Sequence, residues 1–291
     1  MRKIIHDCDC TFGVAGCDVD DGLALLYLLG DPEAEVLGIT TTYGNNNLPT
    51  VYENTKRFMK AIQREDIPVY RGGESIGDID NEASRYLAEM AKKYEGELEL
   101  LVTGSVTNLY GAWKLNPDFF KQIKKIVMMG GITEPLVFAK KIMNELNFSC
   151  DPLAAYTVLT SGADVAVITG NNCLKVLFTK EEYDKRLADN QKKIAQFIKE
   201  ETDYWFDYIM NEYGIPGYYN WDAIAAAYLL HPELFEMKKE DFCLSVQDLE
   251  TGMLSRSQNP QDRNSVLEIP VIGDENAFTT NIYDTWLGVE L

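Results

Sequence analysis

Apolar runs rich in β-branched residues alternate along the chain with segments whose apolar residues recur at helical spacing. The runs predict strands at residues 2–7, 35–44, 67–72, 98–105, 124–131, 163–172, 242–248 and 265–272. The other segments predict helices at 20–29, 49–62, 152–161 and 190–213, others that begin near 106 and 221, and one that closes the chain. This alternation is typical of an α/β, Rossmann-like fold in which helices cover both faces of a mainly parallel sheet. Because no repeat, low-complexity tract or linker interrupts it, we expect residues 1–291 to form a single domain.

Local signals mark several helix starts. Pro49 is well placed to open a helix, and Asp151 precedes Pro152 as an N-cap residue before a proline in the first turn. Thr179 and Glu182 have the spacing of a capping box. We therefore expect a helix to begin beside each of these residues.

Five predicted strands end in polar loops, with the sequences DCD, TTYGNNN, VTGSVTN, MMGGIT and ITGNN. Glycine and asparagine are also ordinary turn residues, so one such loop alone would carry little information. In an open α/β sheet, ligands bind beyond the carboxyl ends of the strands. Five polar loops at that end of the sheet therefore predict a pocket lined by oxygen atoms.

Aspartates are crowded where the first strand ends. Asp7 and Asp9 share one side of the strand, because side chains alternate between its faces, and Asp20 and Asp21 begin the next helix. The helix dipole accounts for an anion at a helix start but not for Asp9 nearby. Neighbouring carboxylates repel one another, and burial makes each harder to ionise. A hard divalent cation such as Ca²⁺ or Mg²⁺, which prefers oxygen ligands, would resolve this conflict.

Composition narrows the function classes. The net charge of −19, with no basic run, argues against a nucleic-acid partner. No window approaches the roughly 18 apolar residues of a membrane helix, and the first ten residues lack the apolar core of a signal peptide, so no membrane partner is expected. Six cysteines without a secretion signal predict free thiols and a cytoplasmic location. With only two histidines, His6 and His231, catalytic triads and multi-histidine zinc sites are hard to assemble.

Two other sites match parts of the acidic cluster. The DCDCT sequence fits the D-x-D-x-T motif of haloacid-dehalogenase-type phosphatases, with Asp7 as nucleophile and Asp9 as acid/base. Five positions make a weak motif, and a convincing later acidic pair of that class is not found, but an Mg²⁺-dependent phosphatase stays an alternative. A soft-metal site could be formed by His6, Cys8, Cys10 and Cys17. Buried structural cysteines explain that last set better, because the spacing does not match paired zinc ligands.

Taken with the later loops, the acidic cluster resembles the inosine-uridine-preferring nucleoside hydrolase family, over nearly the whole chain. The family opens with D-x-D and a D-D pair at a helix start, which the four aspartates match, followed here by GLALLYLLGDPEAEVLGITTTYGN. Further on, TGSVTN resembles its T-G-x-L-T-N, VMMGG its L-M-G-G, and NELNFSCDPLAA its E-F-N-x-x-x-D-P-x-A-A. WDAIAAAYLLHPELF resembles its H-D-P-x-A-x-x-Y-L-L-x-P-x-x-F. Five motifs in the right order make the resemblance specific.

The resemblance implies an enzyme of nucleoside salvage that hydrolyses the N-glycosidic bond of ribonucleosides to free base and ribose. It implies a tightly held Ca²⁺ that binds a water and two ribose hydroxyls, with Asp9 as the base that takes the proton of the water. The implied metal ligands are Asp9, Asp21, Asp222 and the Thr103 carbonyl. The implied ribose-binding residues are Asp20, Asn45, Asn144, Glu145 and Asn147. A homo-oligomer, dimer or tetramer, is also implied, and an inactive nucleoside- or ribose-binding member of the family is a second alternative.

An insertion separates this chain from the family pattern. Asp9 and Asp20 are eleven positions apart, whereas the shortest family form has four, so the segment CTFGVAGC must loop out. Gly13 and Gly16 make such a loop feasible. We expect the loop to cover the pocket or to lie in a subunit contact, and Asp18 not to be a metal ligand.

The second difference from the family pattern concerns protonation of the leaving group. Trp221 stands where many members of the family have a histidine thought to protonate the departing base. An aromatic stretch is available to stack on the base instead: Tyr213, Tyr218, Tyr219 and Trp221. We therefore expect Trp221 to bind substrate, a preference for purines, and a proton from solvent or a tyrosine hydroxyl.

Overall fold

The computed structural model describes residues 1–188 and 190–291. Its strands are β1 (Arg2–Cys8), β2 (Ala34–Thr41), β3 (Val69–Tyr70), β4 (Leu98–Val102), β5 (Lys125–Met129), β6 (Leu136–Val137), β7 (Ile142–Met143), β8 (Val165–Ile168), β9 (Phe235–Glu236), β10 (Lys239–Phe242), β11 (Ser265–Glu268) and β12 (Val271–Ile272). Eight of them form one sheet in the order β10–β11–β8–β5–β4–β1–β2–β3. Neighbours in this sheet are parallel except β10, which is antiparallel to β11. Two small antiparallel pairs, β6–β7 and β9–β12, lie outside it.

Helices connect most of these strands. They are α1 (Asp20–Gly30), α2 (Leu48–Ala61), α3 (Glu82–Lys93), α4 (Thr107–Leu115), α5 (Phe119–Gln122), α6 (Pro152–Leu159), α7 (Gly170–Cys173), α8 (Lys180–Leu187), α9 (Lys193–Tyr213), α10 (Trp221–Leu230), α11 (Val246–Leu249) and α12 (Glu275–Trp286), with a 3₁₀ turn at Pro232–Leu234. None of the helices in the described residues combines the length and apolar character needed to cross a membrane.

Both faces of the sheet are buried under helices. Ile4 on β1 belongs to a core that includes α1, α9, α10 and α12, whereas Ile5, the next residue, belongs to a core that includes α3, α4 and α6. Side chains alternate along a strand, so successive apolar residues supply opposite cores. This explains why the strands read as continuous apolar runs rather than as alternating patterns.

The strand order reverses at β1. From β1 the chain moves outward through β2 and β3, and then returns to β4 on the other side of β1 before continuing through β5 and β8. In open α/β sheets, ligands bind at the carboxyl ends of the strands beside such a reversal. The loops after β1 and β4, which carry Asp9 and Thr103, therefore meet at the expected position.

The predicted α/β fold is confirmed, and so are the helix starts. The Asp151 side chain accepts from the Ala154 amide, and Thr179 Oγ1 accepts from the Glu182 amide. The strand predicted at 242–248 is wrong beyond Phe242, because the Ser245 side chain caps the short helix α11 instead. The pattern also missed α3 and the small β6–β7 pair.

Candidate functional site

A pocket opens beyond the carboxyl ends of β1, β4 and β5, beside the N-termini of α1 and α10. Eight of the predicted site residues line it: Asp20, Asn45, Thr103, Asn144, Glu145, Asn147, Trp221 and Asp222. The remaining two, Asp9 and Asp21, are buried and contact Asn45, which is one of the lining residues. The structure therefore brings every residue of the predicted site to one place.

Three carboxylates come from two helix starts. Asp20 and Asp21 begin α1, and Asp222 is the second residue of α10, which packs against α1. One oxygen from each of the three lies within 4.8 Å of the others. The N-terminus of a helix favours negative charge, so each helix stabilises its own carboxylates while its packing brings the two sets together.

The electrostatics of this cluster call for a positive partner. Burial, and then the charge of neighbouring carboxylates, raises the pKa of Asp21 and of Asp222 well above the ordinary value, and burial raises the pKa of Asp20 to about 6. Within residues 1–188 and 190–291, no lysine or arginine forms an ion pair with these three side chains. A set of buried carboxylate oxygens without a cationic side chain fits a hard divalent ion such as Ca²⁺ or Mg²⁺.

Asp9 lies directly beyond the end of β1 and is held by Asn45. The Asn45 backbone amide donates to Asp9 Oδ2 at 2.6 Å, and its Nδ2 donates to Oδ1 at 3.2 Å. Gly44 allows this approach, because a Cβ at that position would collide with the Asp9 carboxylate. Burial raises the pKa of Asp9 to about 6, although the hydrogen bond from the Asn45 backbone lowers it. Asn45 therefore orients the carboxylate of Asp9 as well as lining the pocket.

Thr103 follows β4 and connects the sheet to the carboxylate cluster. Its hydroxyl donates to Asp21 Oδ1 at 2.7 Å and lies 2.8 Å from Nε2 of His6. Its backbone amide donates to the carbonyl of Asp7 on the neighbouring strand. The threonine side chain thus takes part in the site, whereas the resemblance implied only its carbonyl.

Glu145 lines the pocket but is held mainly by backbone amides. Its Oε1 accepts from Gly131 at 3.0 Å and from Phe148 at 2.8 Å, and its Oε2 accepts from Ser149 at 2.9 Å. These bonds fix the carboxylate in one orientation, and burial raises its pKa. The Nδ2 group of Asn147 donates a hydrogen bond to the backbone carbonyl of Met129. The side-chain oxygen of Asn147 takes no part in this bond.

Aromatic side chains form another part of the pocket lining, called the aromatic wall below. Trp205 and Tyr208 of α9 stack with ring centroids 4.7 Å apart and planes 9° from parallel, and both line the pocket. Trp221 and Tyr213 also line it. Tyr218, by contrast, is fully buried and stacks in the core, so the expectation that it contacts the base is wrong.

Sequence reasoning missed the contribution of α9. Trp205 and Tyr208 have the i, i+3 spacing of one face of an amphipathic helix, and such an apolar face is expected to pack in the core. That expectation holds for Ile194 and Ile198, which are buried and do not line the pocket. A pocket wall and a core face carry the same apolar signal, but two neighbouring aromatic residues at this spacing were a usable hint.

The insertion folds down beside the pocket. Gly13 and Gly16 both have positive φ, of 77° and 78°, as a tight loop requires. Phe12 packs against Phe58 and Phe197, which anchors the loop to α2 and α9. Gly16, Cys17 and Asp18 line the pocket, in agreement with a loop that covers it. Asp18, which was not predicted to be a metal ligand, shares a hydrogen bond with the Asp20 side chain.

Asp7 has a structural role in the protein interior. It is fully buried, and its Oδ2 accepts from Thr40 Oγ1 at 2.6 Å and from Asn108 Nδ2 at 2.9 Å. A phosphatase nucleophile must reach its substrate, but neither Asp7 nor its partners Thr40 and Asn108 line the pocket. Asp9, by contrast, contacts the lining residue Asn45. The geometry therefore does not support the phosphatase alternative.

Comparison with known proteins agrees with this geometry. The family model described as inosine-uridine preferring nucleoside hydrolase matches residues 4–280. A probable uridine nucleosidase 2 of Arabidopsis thaliana is 31% identical, with 80% of this chain and 79% of the relative covered. An inosine-uridine preferring nucleoside hydrolase of Leishmania major is 25% identical over 97% of this chain and 96% of its own.

The solved structure of a purine-preferring ribonucleoside hydrolase from Gardnerella vaginalis superposes with a TM-score of 0.85 at 25% identity, covering 99% of both chains. Neither the phosphatase nor the inactive binding protein finds support in these matches. The family match, the shared fold and the aspartate-lined pocket at the strand ends together show that the chain belongs to the inosine-uridine preferring nucleoside hydrolase family.

Proposed function

We propose that this nucleoside hydrolase cleaves the N-glycosidic bond of ribonucleosides with Ca²⁺ as its ion and Asp9 as its general base. One observation carries the proposal: buried carboxylates from distant segments converge at the strand ends, at a pocket that is also lined by an aromatic wall. The carboxylates suit an ion and a sugar, and the aromatic rings suit a base.

The residues present fit a hard cation. Asp9, Asp21 and Asp222, with the carbonyl of Thr103, would hold Ca²⁺, because carboxylate and carbonyl oxygens are its preferred ligands. Asp20 lies in the same cluster as two of them and would bind between the ion and the sugar. When bound, a divalent cation supplies positive charge that makes a coordinated water more acidic, though less so for Ca²⁺ than for Zn²⁺.

The side chains of the pocket supply the remaining chemistry. Cleavage of a glycosidic bond builds positive charge on the sugar, which buried carboxylates stabilise. Asp9 takes a proton from the attacking water, and its two hydrogen bonds from Asn45 hold it in the orientation for that transfer. Asp20, Asn45, Asn144, Glu145 and Asn147 bind the ribose hydroxyls. The backbone-locked Glu145 does so without losing rotamer freedom on binding.

The nucleobase binds against the aromatic wall, and we propose that purines are preferred. The stacked pair Trp205 and Tyr208, with Trp221 nearby, offers a broad apolar surface to a two-ring base. Relatives are named for either class, as uridine nucleosidases or as a purine-preferring hydrolase. The ratio of kcat/KM for inosine and guanosine to that for uridine measures the preference, and a higher value for uridine would overturn it.

The departing base takes its proton from solvent or from a tyrosine. His231 ends α10 and His6 is buried on β1, and neither lines the pocket. Tyr208 and Tyr213 do line it and carry hydroxyl groups. The leaving group of p-nitrophenyl riboside needs no proton, so this substrate serves as the comparison. A loss of kcat in Tyr208→Phe or Tyr213→Phe that is larger for inosine than for p-nitrophenyl riboside would identify the tyrosine. Wild-type rates in both variants would leave solvent as the source of the proton.

Reducing-sugar release from a nucleoside panel tests the proposed function. We expect the activity to vanish with a chelator, to return with Ca²⁺, and to fall about 10²–10⁴-fold in kcat in Asp9→Asn. Asp284→Asn, an exposed aspartate of α12, is the matched control and should behave as wild type. Activity that survives Asp9→Asn would overturn the assignment of the base, and activity indifferent to the chelator would overturn the role of the ion.

Three further features belong to this proposal. We propose that residues 1–291 act as one domain, which the single eight-stranded sheet supports. A cytoplasmic location agrees with the six free cysteines, none of which forms a disulfide in the described chain. The predicted dimer or tetramer is checked by light scattering of the purified protein.

A further inference from the structure

His6 is a buried histidine that the chemistry above does not use. It lies on β1 after Ile4 and Ile5, which are both fully buried, and is itself inaccessible to solvent. Its Nε2 is 2.8 Å from Thr103 Oγ1, and that hydroxyl donates to Asp21 Oδ1 at 2.7 Å. A hydrogen-bond chain therefore runs from the core strand to a carboxylate of the proposed cation site.

The direction of this chain follows from the number of protons. A threonine hydroxyl has one proton, and here that proton is donated to Asp21. The ring nitrogen Nε2 of His6 must then donate to the same oxygen, because two acceptors would repel. In a neutral ring the other nitrogen, Nδ1, carries no proton.

Nδ1 of His6 finds no hydrogen-bond partner in the part of the chain that the structure describes. Buried polar atoms are nearly always paired, and an unpaired one destabilises the fold. An apolar residue at this buried position would avoid that cost. The unpaired nitrogen therefore indicates that the Nε2–H donor of His6 is useful elsewhere, and Thr103 is where it is used.

We propose that His6 is a positioning residue of the cation site. Its Nε2–H holds the Thr103 hydroxyl in the rotamer that donates to Asp21, and this fixes the orientation of the Asp21 carboxylate. The same contact holds the residue whose carbonyl is a proposed ligand, so one histidine supports two of the four. The inference rests on the proposed function, since it assumes the cation site described above.

The test is a calorimetric titration of the metal-free, full-length protein with Ca²⁺ alone. Partners behind metal ligands typically contribute 10–100-fold to metal affinity, so we expect the Kd to weaken by about that factor in His6→Leu and in Thr103→Val. His6→Gln retains a donor near the position of Nε2 and should restore much of the affinity. The double variant His6→Leu/Thr103→Val should bind no more weakly than Thr103→Val, because His6 acts only through the hydroxyl.

The metal-free Tm, measured alongside, separates positioning from packing. A role in packing alone would lower this Tm and leave the Kd for Ca²⁺ unchanged, which would overturn the proposal. Additive losses in the double variant would overturn it as well. If wild type itself failed to bind Ca²⁺, that result would overturn the cation site of the proposed function. Failure of the cation site is therefore distinguishable from failure of the positioning role of His6.

A measurement on wild type covers the case in which His6→Leu does not fold. The chain has only two histidines, so ¹⁵N-histidine spectra hold two ring systems, and His231→Gln assigns them. With Ca²⁺ bound, we expect His6 to be protonated at Nε2 and not at Nδ1, and a ring protonated at Nδ1 would overturn the proposal. One possible ligand atom of His6 also lies within 4.8 Å of those of Cys8 and Asp21. Stoichiometric Zn²⁺ binding that is abolished in Cys8→Ala would therefore assign His6 to a soft-metal site and overturn the proposal.

Discussion

Asp222→Asn tests the cation site directly, because it removes one negative charge with little change in side-chain volume. Asp222 is buried in the first turn of α10, and one of its oxygens lies within 4.8 Å of an oxygen of Asp20 and of Asp21. Without a cation these charges repel one another, and with a cation they attract it. We therefore expect the substitution to stabilise the metal-free protein and to remove most of its stabilisation by Ca²⁺.

The magnitude follows from the separation of the charges. Two unit charges 4.8 Å apart repel by about 3.5 kcal/mol at an effective dielectric constant of about 20. Burial and the neighbouring carboxylates raise the pKa of Asp222, so protonation already relieves most of that repulsion. Loss of an anion at a helix start opposes the gain by about 0.3–1 kcal/mol. We expect a net stabilisation of about 1 kcal/mol, which raises the metal-free Tm by roughly 2–4 °C.

The response to Ca²⁺ is the larger effect. At a free concentration about 100-fold above its Kd, a ligand stabilises the folded state by about 2.7 kcal/mol. For wild type this corresponds to a rise in Tm of roughly 5–10 °C, most of which Asp222→Asn should lose. Scanning calorimetry with chelator and with excess Ca²⁺ measures both effects, and Asp284→Asn is again the control. A variant that keeps the full response to Ca²⁺, or whose metal-free form melts below wild type, would refute the reasoning.

Substitutions at three other places probe the pocket wall, a surface contact and the insertion. Trp205→Ala should lower kcat/KM for inosine about 2–10-fold through lost stacking, whereas Trp205→Phe should retain most of it; equal kinetics in both would contradict the assignment. Burial lowers the pKa of His231, but the hydrogen bonds to Asp31 and Glu233 raise it by more than burial lowers it. The net pKa of His231 therefore lies above the ordinary value of 6.5. The added stability is complete below pH 6.5 and is lost as the pH rises through the higher folded-state pKa, so in urea denaturation the deficit of His231→Gln should shrink from pH 6.5 upward, and a deficit that grows would contradict it. Gly13→Ala should destabilise more than Gly16→Ala in the same assay, because both have positive φ but only at Gly13 would a Cβ collide with a neighbouring carboxylate.

Local patterns predicted most of the elements and the helix caps. A short apolar run rich in β-branched residues predicts a strand, and Asp151 before Pro152 predicts a helix start, because both signals depend on residues close in sequence. The same approach failed at 242–248, where the Ser245 cap competed with an apolar run and α11 formed. It also failed to distinguish the pocket wall of α9 from its core face, because Trp205 and Ile198 carry the same apolar signal.

The amino-acid sequence by itself determined which residues could build the site. It supplies oxygen-bearing side chains at the ends of successive strands, and alternation of strands and helices is enough to predict that those ends share one edge of the sheet. Only the tertiary structure decided how these residues are used. The packing of α1 against α10 joins Asp222 to Asp20 and Asp21, and the backbone amide of Gly131, in the loop after β5, binds Glu145. Such contacts depend on which surfaces of distant segments meet, and that is set by the packing of the whole core rather than by the period of any one segment.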